Sequence, residues 1–245
     1  MKIYGLVGQS LVHSFSQKYF SDYFIKKGVA DCQYLNFELK ELDIEIIKLK
    51  NLDSLCGLNV TIPFKTKIVS FLDDITDACK AVNACNCIKI ENGKWIGYNT
   101  DVVGFEESFI PHLKRYHKKA LVLGTGGASK AVIFVLNKLG IKFLNVSRNK
   151  LPSSSVISYA DISPEIIGEY NIVINTTPLG MFPKVYAFPQ LPYEWVTPQH
   201  YFFDLIYNPT KTLFLEKAEA KGAIIENGQK MLEIQAIESW KIWNS

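Results

Sequence analysis

Two hydroxyls, a lysine, an amide and a carboxylate stand in four short polar clusters, each where an apolar run ends. In His13-Ser14-Phe15-Ser16 either serine can cap the helix that the following residues predict, and paired hydroxyls beside a helix N-terminus also suit a bound carboxylate. In Asn59-Val60-Thr61-Ile62-Pro63-Phe64-Lys65 an extended backbone turns Asn59 and Thr61 to the same side, Pro63 ends the strand, and Lys65 follows just beyond it. An ammonium there is either a solvated surface charge or a proton donor that steadies negative charge on a reacting oxygen. The third cluster supplies Asn86. The fourth, Gly97-Tyr98-Asn99-Thr100-Asp101, ends in a carboxylate that either caps a helix or partners a cation. No metal is expected: His112, His117 and His200 lack ligand spacing, and His13 is read as positional.

A fifth cluster points to a nucleotide. Gly124-Thr125-Gly126-Gly127-Ala128-Ser129 follows an apolar strand, Ala120 to Leu123, and opens an apolar helix. Glycines in that position let the backbone turn tightly and approach a pyrophosphate seated on the free amides of the helix N-terminus. The next strand ends in Ser147-Arg148-Asn149-Lys150, with no carboxylate where an NAD enzyme usually holds the ribose 2′-hydroxyl. Two cations and two small polar groups suit a 2′-phosphate, so the cofactor predicted is NADP(H). The plainer reading is a solvated basic loop.

The elements that must hold these groups alternate between short apolar runs and amphipathic stretches, the pattern of an α/β fold. IYGLVG, CQYLNFEL and LCGLNVTI read as strands, with helices over Ser16 to Lys27 and within ELDIEIIKLK. NCIKI and KWIGYN flank Asn92-Gly93 as a hairpin. Beyond the glycine cluster, KFLNVSR, NIVINTT, YFFDLIY and AIIENG supply further strands. The last stretch spaces Met231, Leu232, Ile234, Ile237 and Trp240 like the buried face of a helix. The predicted division falls near Asp101: residues 1–101 with a returning helix at 227–245 form one domain, and 102–226 the nucleotide domain. Twenty-seven basic and 24 acidic residues are spread along the chain without blocks, which gives no reason to expect nucleic acid or a membrane surface as partner. No apolar run approaches the ~20 residues that cross a bilayer, and the N-terminus does not read as a signal peptide. Five cysteines without zinc-type pairing predict reduced thiols in a cytoplasmic protein.

Seven strings, HSFS, NVTIPFK, NTDVVGF, GTGGASKA, NTTPLGM, FDLIYNPTKT and NGQKMLEIQA, stand in that order over both halves of the chain. In them the chain resembles the shikimate dehydrogenase family almost end to end. The resemblance implies an N-terminal α/β substrate domain with a mixed sheet, a Rossmann-like NADP-binding domain, and an active-site cleft between them. It implies reversible reduction of 3-dehydroshikimate to shikimate with NADPH, a step toward aromatic amino acids, by a monomer or homodimer. It also assigns roles: Ser14, Ser16 and Thr61 to the substrate carboxylate, and Lys65, Asn86 and Asp101 to its ring oxygens, with Lys65 and Asp101 as the catalytic pair. Tyr207 and Gln235 close the pocket. Gly124 to Ser129 and Ser147 to Lys150 bind the cofactor, helped by backbone at Ile206 and Gly228, and Asp77 matches a position on the nicotinamide side. Quinate as substrate, or a silent nucleotide-binding module, are the alternatives. Four positions depart from the usual pattern: Gln17 stands for proline, Asn83 and Val102 for glycines, and Cys87 for threonine.

Overall fold

The computed structural model describes residues 1–12, 14–148 and 156–245. The chain divides into two compact units, Met1–Thr100 with Ala236–Ser245, and Asp101–Gln235.

The first unit runs β1 (Lys2–Gly8), α1 (Phe15–Lys27), β2 (Cys32–Glu38), α2 (Leu42–Lys50), β3 (Leu55–Val60), β4 (Asp74–Ile75), α3 (Asp77–Val82), β5 (Cys87–Glu91) and β6 (Lys94–Tyr98). Its sheet has the order β2-β1-β3-β5-β6-β4. β1 pairs in parallel with both β2 and β3, whereas β5 runs antiparallel to β3 and β6, so the sheet is mixed. The hairpin turns on Asn92 and Gly93, both with positive φ, as the Asn-Gly pair predicts. Val7, Ile46, Leu58, Val60, Ile68 and Ile88 form one core cluster, and an aromatic cluster of Tyr4, Phe20, Phe24, Tyr34 and Trp243 forms another. Phe20 and Phe24, four apart, are the buried stripe of α1, which is why that short run holds as a helix.

The second unit opens with α4 (Thr100–Phe109), whose first residue belongs to the first unit. It continues with β7 (Lys119–Leu123), α5 (Gly127–Lys138), β8 (Lys142–Ser147), β9 (Val156–Ser158), α6 (Pro164–Glu169), β10 (Ile172–Asn175), β11 (Tyr201–Asp204), α7 (Leu213–Glu219), β12 (Ile224–Glu226) and α8 (Gln229–Trp243). All its pairings are parallel, in the order β12-β11-β10-β7-β8-β9. This is the doubly wound Rossmann arrangement, and its switch point lies where β7 meets β10. Ala120 to Leu123 and Ile172 to Ile174 are fully buried, the unbroken apolar runs of strands covered on both faces.

Two expectations need correction. The nucleotide unit does not end before the last helix: the division passes through α8, between Gln235 and Ala236. The stripe predicted on that helix also fails at Ile237, which is 39% exposed, while Ala236, Ser239 and Trp243 are buried. A single apolar stripe presumes one surface to pack on, and residues on either side of Gln235 belong to different units.

Candidate active site

The β1–α1 loop is pinned by the Leu11 amide, which donates to Glu38 Oε1 at 2.6 Å, and turned by the Ser14 amide, which donates to Leu11 O at 2.9 Å. Ser14 stands at the N-cap of α1 yet makes no cap hydrogen bond; its hydroxyl is buried with no partner among the described residues. Such a group costs free energy unless something else satisfies it, which suits a ligand acceptor next to a helix N-terminus. Ser16 lies in the first turn of α1. Burial pushes the nearby Tyr34 phenol, which donates to Asn59 Oδ1 at 2.8 Å, well above its ordinary value, and Ser16 works against the push.

The strand holding Asn59 continues into Thr61, whose amide donates to Val7 O at 2.9 Å. Lys65 is then fixed by its backbone: its carbonyl accepts from the Cys85 amide at 2.7 Å, which ties the 61–65 turn to the segment carrying Asn86. Asn86 is buried, and its Oδ1 accepts from the Thr100 amide at 2.6 Å, satisfying an otherwise orphaned donor at the start of α4. Asp101 follows in the first turn of that helix and is buried. Asn99, rather than Asp101, immediately precedes α4, and its side chain donates to Ala84 O at 2.8 Å.

Thus Ser14, Ser16, Thr61, Lys65 and Asn86 lie in the first unit, at the β1–α1 loop and beside the ends of β3 and β5. Asp77 also lies there, in the first turn of α3. Asp101, Tyr207 and Gln235 belong to the second unit. Tyr207 follows β11, and burial raises its phenol above the ordinary value. Gln235, on α8, donates to Leu232 O at 3.0 Å.

The glycine cluster occupies the switch point of the second sheet. Gly124 has φ +107°, and a Cβ there would sit 2.8 Å from Thr176 Oγ1, so the turn out of β7 admits only glycine. At Gly126 a Cβ would meet nothing within 4 Å among the described residues, as a cradle for pyrophosphate requires. Gly126 caps α5 with no side-chain bond, and Thr125 and Gly126 are exposed beside the first turn of that helix. Ser129 is turned back, its hydroxyl donating to Gly126 O at 2.6 Å. Ser147 ends β8 and Arg148 follows it, exposed; Asn149 and Lys150 lie outside the described residues. The Gly228 amide donates to Ile206 O at 3.0 Å, so the structure brings these two cofactor candidates together. These groups fit a dinucleotide.

One network was not foreseen. Asn175 and Asp204 end neighbouring strands in register, and Asn175 Nδ2 donates to Asp204 Oδ1 at 3.0 Å. Asp204 also accepts from the Ile206 amide at 3.1 Å and the Thr212 hydroxyl at 2.6 Å. Burial nevertheless pushes its carboxyl up to about 7. The signal available in sequence was a polar residue closing each of two wholly apolar strands.

Over 99% of its length the chain is 38% identical to the shikimate dehydrogenase (NADP(+)) of Caldicellulosiruptor bescii, covering 89% of that protein. The chain belongs to the shikimate dehydrogenase family. Residues 6–88 match the family model described as the shikimate dehydrogenase substrate binding domain. The crystal structure of shikimate dehydrogenase from Aquifex aeolicus is similar at a TM-score of 0.86 and 36% identity, over 100% of this chain and 92% of that one. The enzyme from Thermus thermophilus in complex with NADP(H) and shikimate is similar at 0.86 and 27% identity, over 99% of this chain and 93% of that one.

Two of the departures of this shikimate dehydrogenase family member have local causes. Asn83 ends α3 in the left-handed region at φ 50°, which asparagine tolerates better than other side chains do. Gln17 Oε1 accepts from Asn36 Nδ2 at 3.0 Å, a bond that proline could not make. Cys87 is fully buried, and burial raises its thiol to about 12.

Proposed function

We propose that this chain catalyses the reversible NADPH-dependent reduction of 3-dehydroshikimate to shikimate. Its kinship over nearly the whole length with NADP(+)-dependent shikimate dehydrogenases carries the reading. The unsatisfied Ser14 hydroxyl and the open glycine turn at Gly126 support it as features that wait for ligands.

Ser14, Ser16 and Thr61 take the substrate carboxylate, and Lys65, Asn86 and Asp101 take its ring oxygens. Gly124 to Ser129 receive the pyrophosphate on amides of α5, Ser147 to Lys150 meet the 2′-phosphate, and backbone at Ile206 and Gly228 completes the cofactor contacts, with Asp77 on the nicotinamide side. NADPH, when bound, supplies a hydride to the carbonyl carbon. Negative charge then builds on the carbonyl oxygen, where the Lys65 ammonium stabilises it and delivers the proton that makes the alcohol. Asp101 orients Lys65 and favours its charged form. In the reverse direction Lys65 accepts or relays the alcohol proton. Tyr207 and Gln235 close the substrate pocket. The five thiols are all free, which suits a reducing cytosol, and we infer a monomer or homodimer there.

The test is the initial rate on shikimate and on quinate, each with NADP⁺ and with NAD⁺. A strong preference for shikimate with NADP⁺ supports the reading. Comparable quinate or NAD⁺ rates overturn the specificity, and no rate with any pair overturns the function.

A further inference from the structure

The carboxylate end and the ring-oxygen end of the substrate site, as proposed above, are joined through the protein interior by a ring stack and a run of hydrogen bonds. Tyr34 stacks on Phe20 of α1, the ring centroids 4.6 Å apart. The Tyr34 hydroxyl donates to Asn59 Oδ1 at 2.8 Å, and Asn59 Nδ2 donates to Ser239 Oγ at 2.9 Å and toward Asn86 O at 3.3 Å. Ser239 Oγ lies 3.3 Å from Thr100 Oγ1, which accepts from Asn86 Nδ2 at 3.0 Å. Tyr34, Asn59, Asn86, Thr100 and Ser239 are all at most 5% exposed. They come from β2, β3, the segment before β5, the start of α4 and α8.

Buried polar groups are costly, and an apolar core of the same shape would serve stability as well. A network whose members satisfy one another instead holds its members in one arrangement. Here one end is seated on α1, whose N-cap is Ser14, and the other emerges at Asn86, whose backbone is tied to Lys65 through Cys85. We propose that Tyr34 and Ser239 are positioning residues, which fix the distance between the hydroxyls that take the substrate carboxylate and the amide that takes its ring oxygen. Neither touches substrate. Tyr34 acts on α1 through Phe20 and on Asn59, and Ser239 acts on Asn59 and Thr100, and through Thr100 on Asn86. The role rests on the functional reading above.

Steady-state rates on shikimate and NADP⁺ for Tyr34→Phe, Ser239→Ala and the double variant test it, with the melting midpoint of each. Each single variant should raise KM for shikimate roughly five- to tenfold, the scale of one hydrogen bond, with KM for NADP⁺ unchanged and kcat within about twofold. The double variant should raise KM by less than the product of the singles, because both act on Asn59. Ser239→Thr, which keeps the hydroxyl, should recover most of the shikimate affinity. A lowered melting midpoint with unchanged KM for shikimate would overturn the proposal, as would strictly multiplicative effects. No turnover of shikimate by the unsubstituted protein would instead overturn the functional reading, and this role with it.

Discussion

A lysine that follows a proline-ended strand is usually a solvated charge, and its side-chain type alone separates nothing. Lys65 stands apart because its carbonyl holds the Cys85 amide, so the turn that presents it cannot move independently of Asn86. If it is the proton donor, Lys65→Ala should lower turnover by ~10²–10⁴ while nucleotide affinity, followed by nicotinamide fluorescence, stays unchanged. Arg148 makes the complementary case on the cofactor. On the proposed contact to the 2′-phosphate, Arg148→Asp should raise KM for NADP⁺ roughly tenfold to a hundredfold, exchanging a charge-assisted bond for repulsion, and it should affect KM for NAD⁺ far less. Equal effects on both cofactors would mean a solvated loop. The candidate residues were legible because each belongs to a short contiguous motif. Ser239 was not: its partner Asn59 is 180 positions away, and only the folded chain makes that pair.

Elements were legible where they are long enough to show a period. The four central strands of the second sheet and helices α1, α5 and α8 carry their own signals. By contrast α3 and α6, at six residues each, and the two-residue β4 are too short for any periodicity to emerge. The end of α3 shows what such a short element demands. Asn83 closes it at φ 50°, and its amide donates to Lys80 O at 3.1 Å, after which the chain turns into the Asn86 segment. Asn83→Gly should be neutral or slightly stabilising in urea unfolding. Asn83→Val should cost about 1–2 kcal/mol, because a branched side chain is strained in that conformation. Equal stability in the two variants would mean that the turn relaxes to another conformation.

At the scale of the whole molecule the sheet orders were partly legible: strand–helix alternation implied parallel pairing after the glycine turn, and the Asn92-Gly93 hairpin implied antiparallel pairing before it. Charge at depth was not legible, because burial is a property of the assembled fold. Asp204 and His117 are the case in point, and they oppose each other. Burial raises the Asp204 carboxyl to about 7, so between the ordinary carboxylate value and 7 the folded chain holds a proton that the unfolded chain has lost. That contribution is fully present below the ordinary carboxylate value and is lost as pH rises from there through about 7, by at most about 4 kcal/mol at 1.36 kcal/mol per pH unit. Burial lowers His117, so its contribution is lost in the other direction, as pH falls below its ordinary value of 6.5. Below pH 6.5 the two partly cancel, whereas between 6.5 and 7.5 Asp204 acts alone of the pair. Asp204→Asn keeps the shape of the side chain and abolishes its titration. Urea unfolding from pH 4.5 to 8 should therefore show the unsubstituted protein losing stability relative to Asp204→Asn as pH rises, mostly between 4.5 and 7 and levelling off above, because His117 is common to both and cancels in the difference. A constant gap between the two curves would mean that the three hydrogen bonds from Asn175, Ile206 and Thr212 already hold Asp204 ionised across that range.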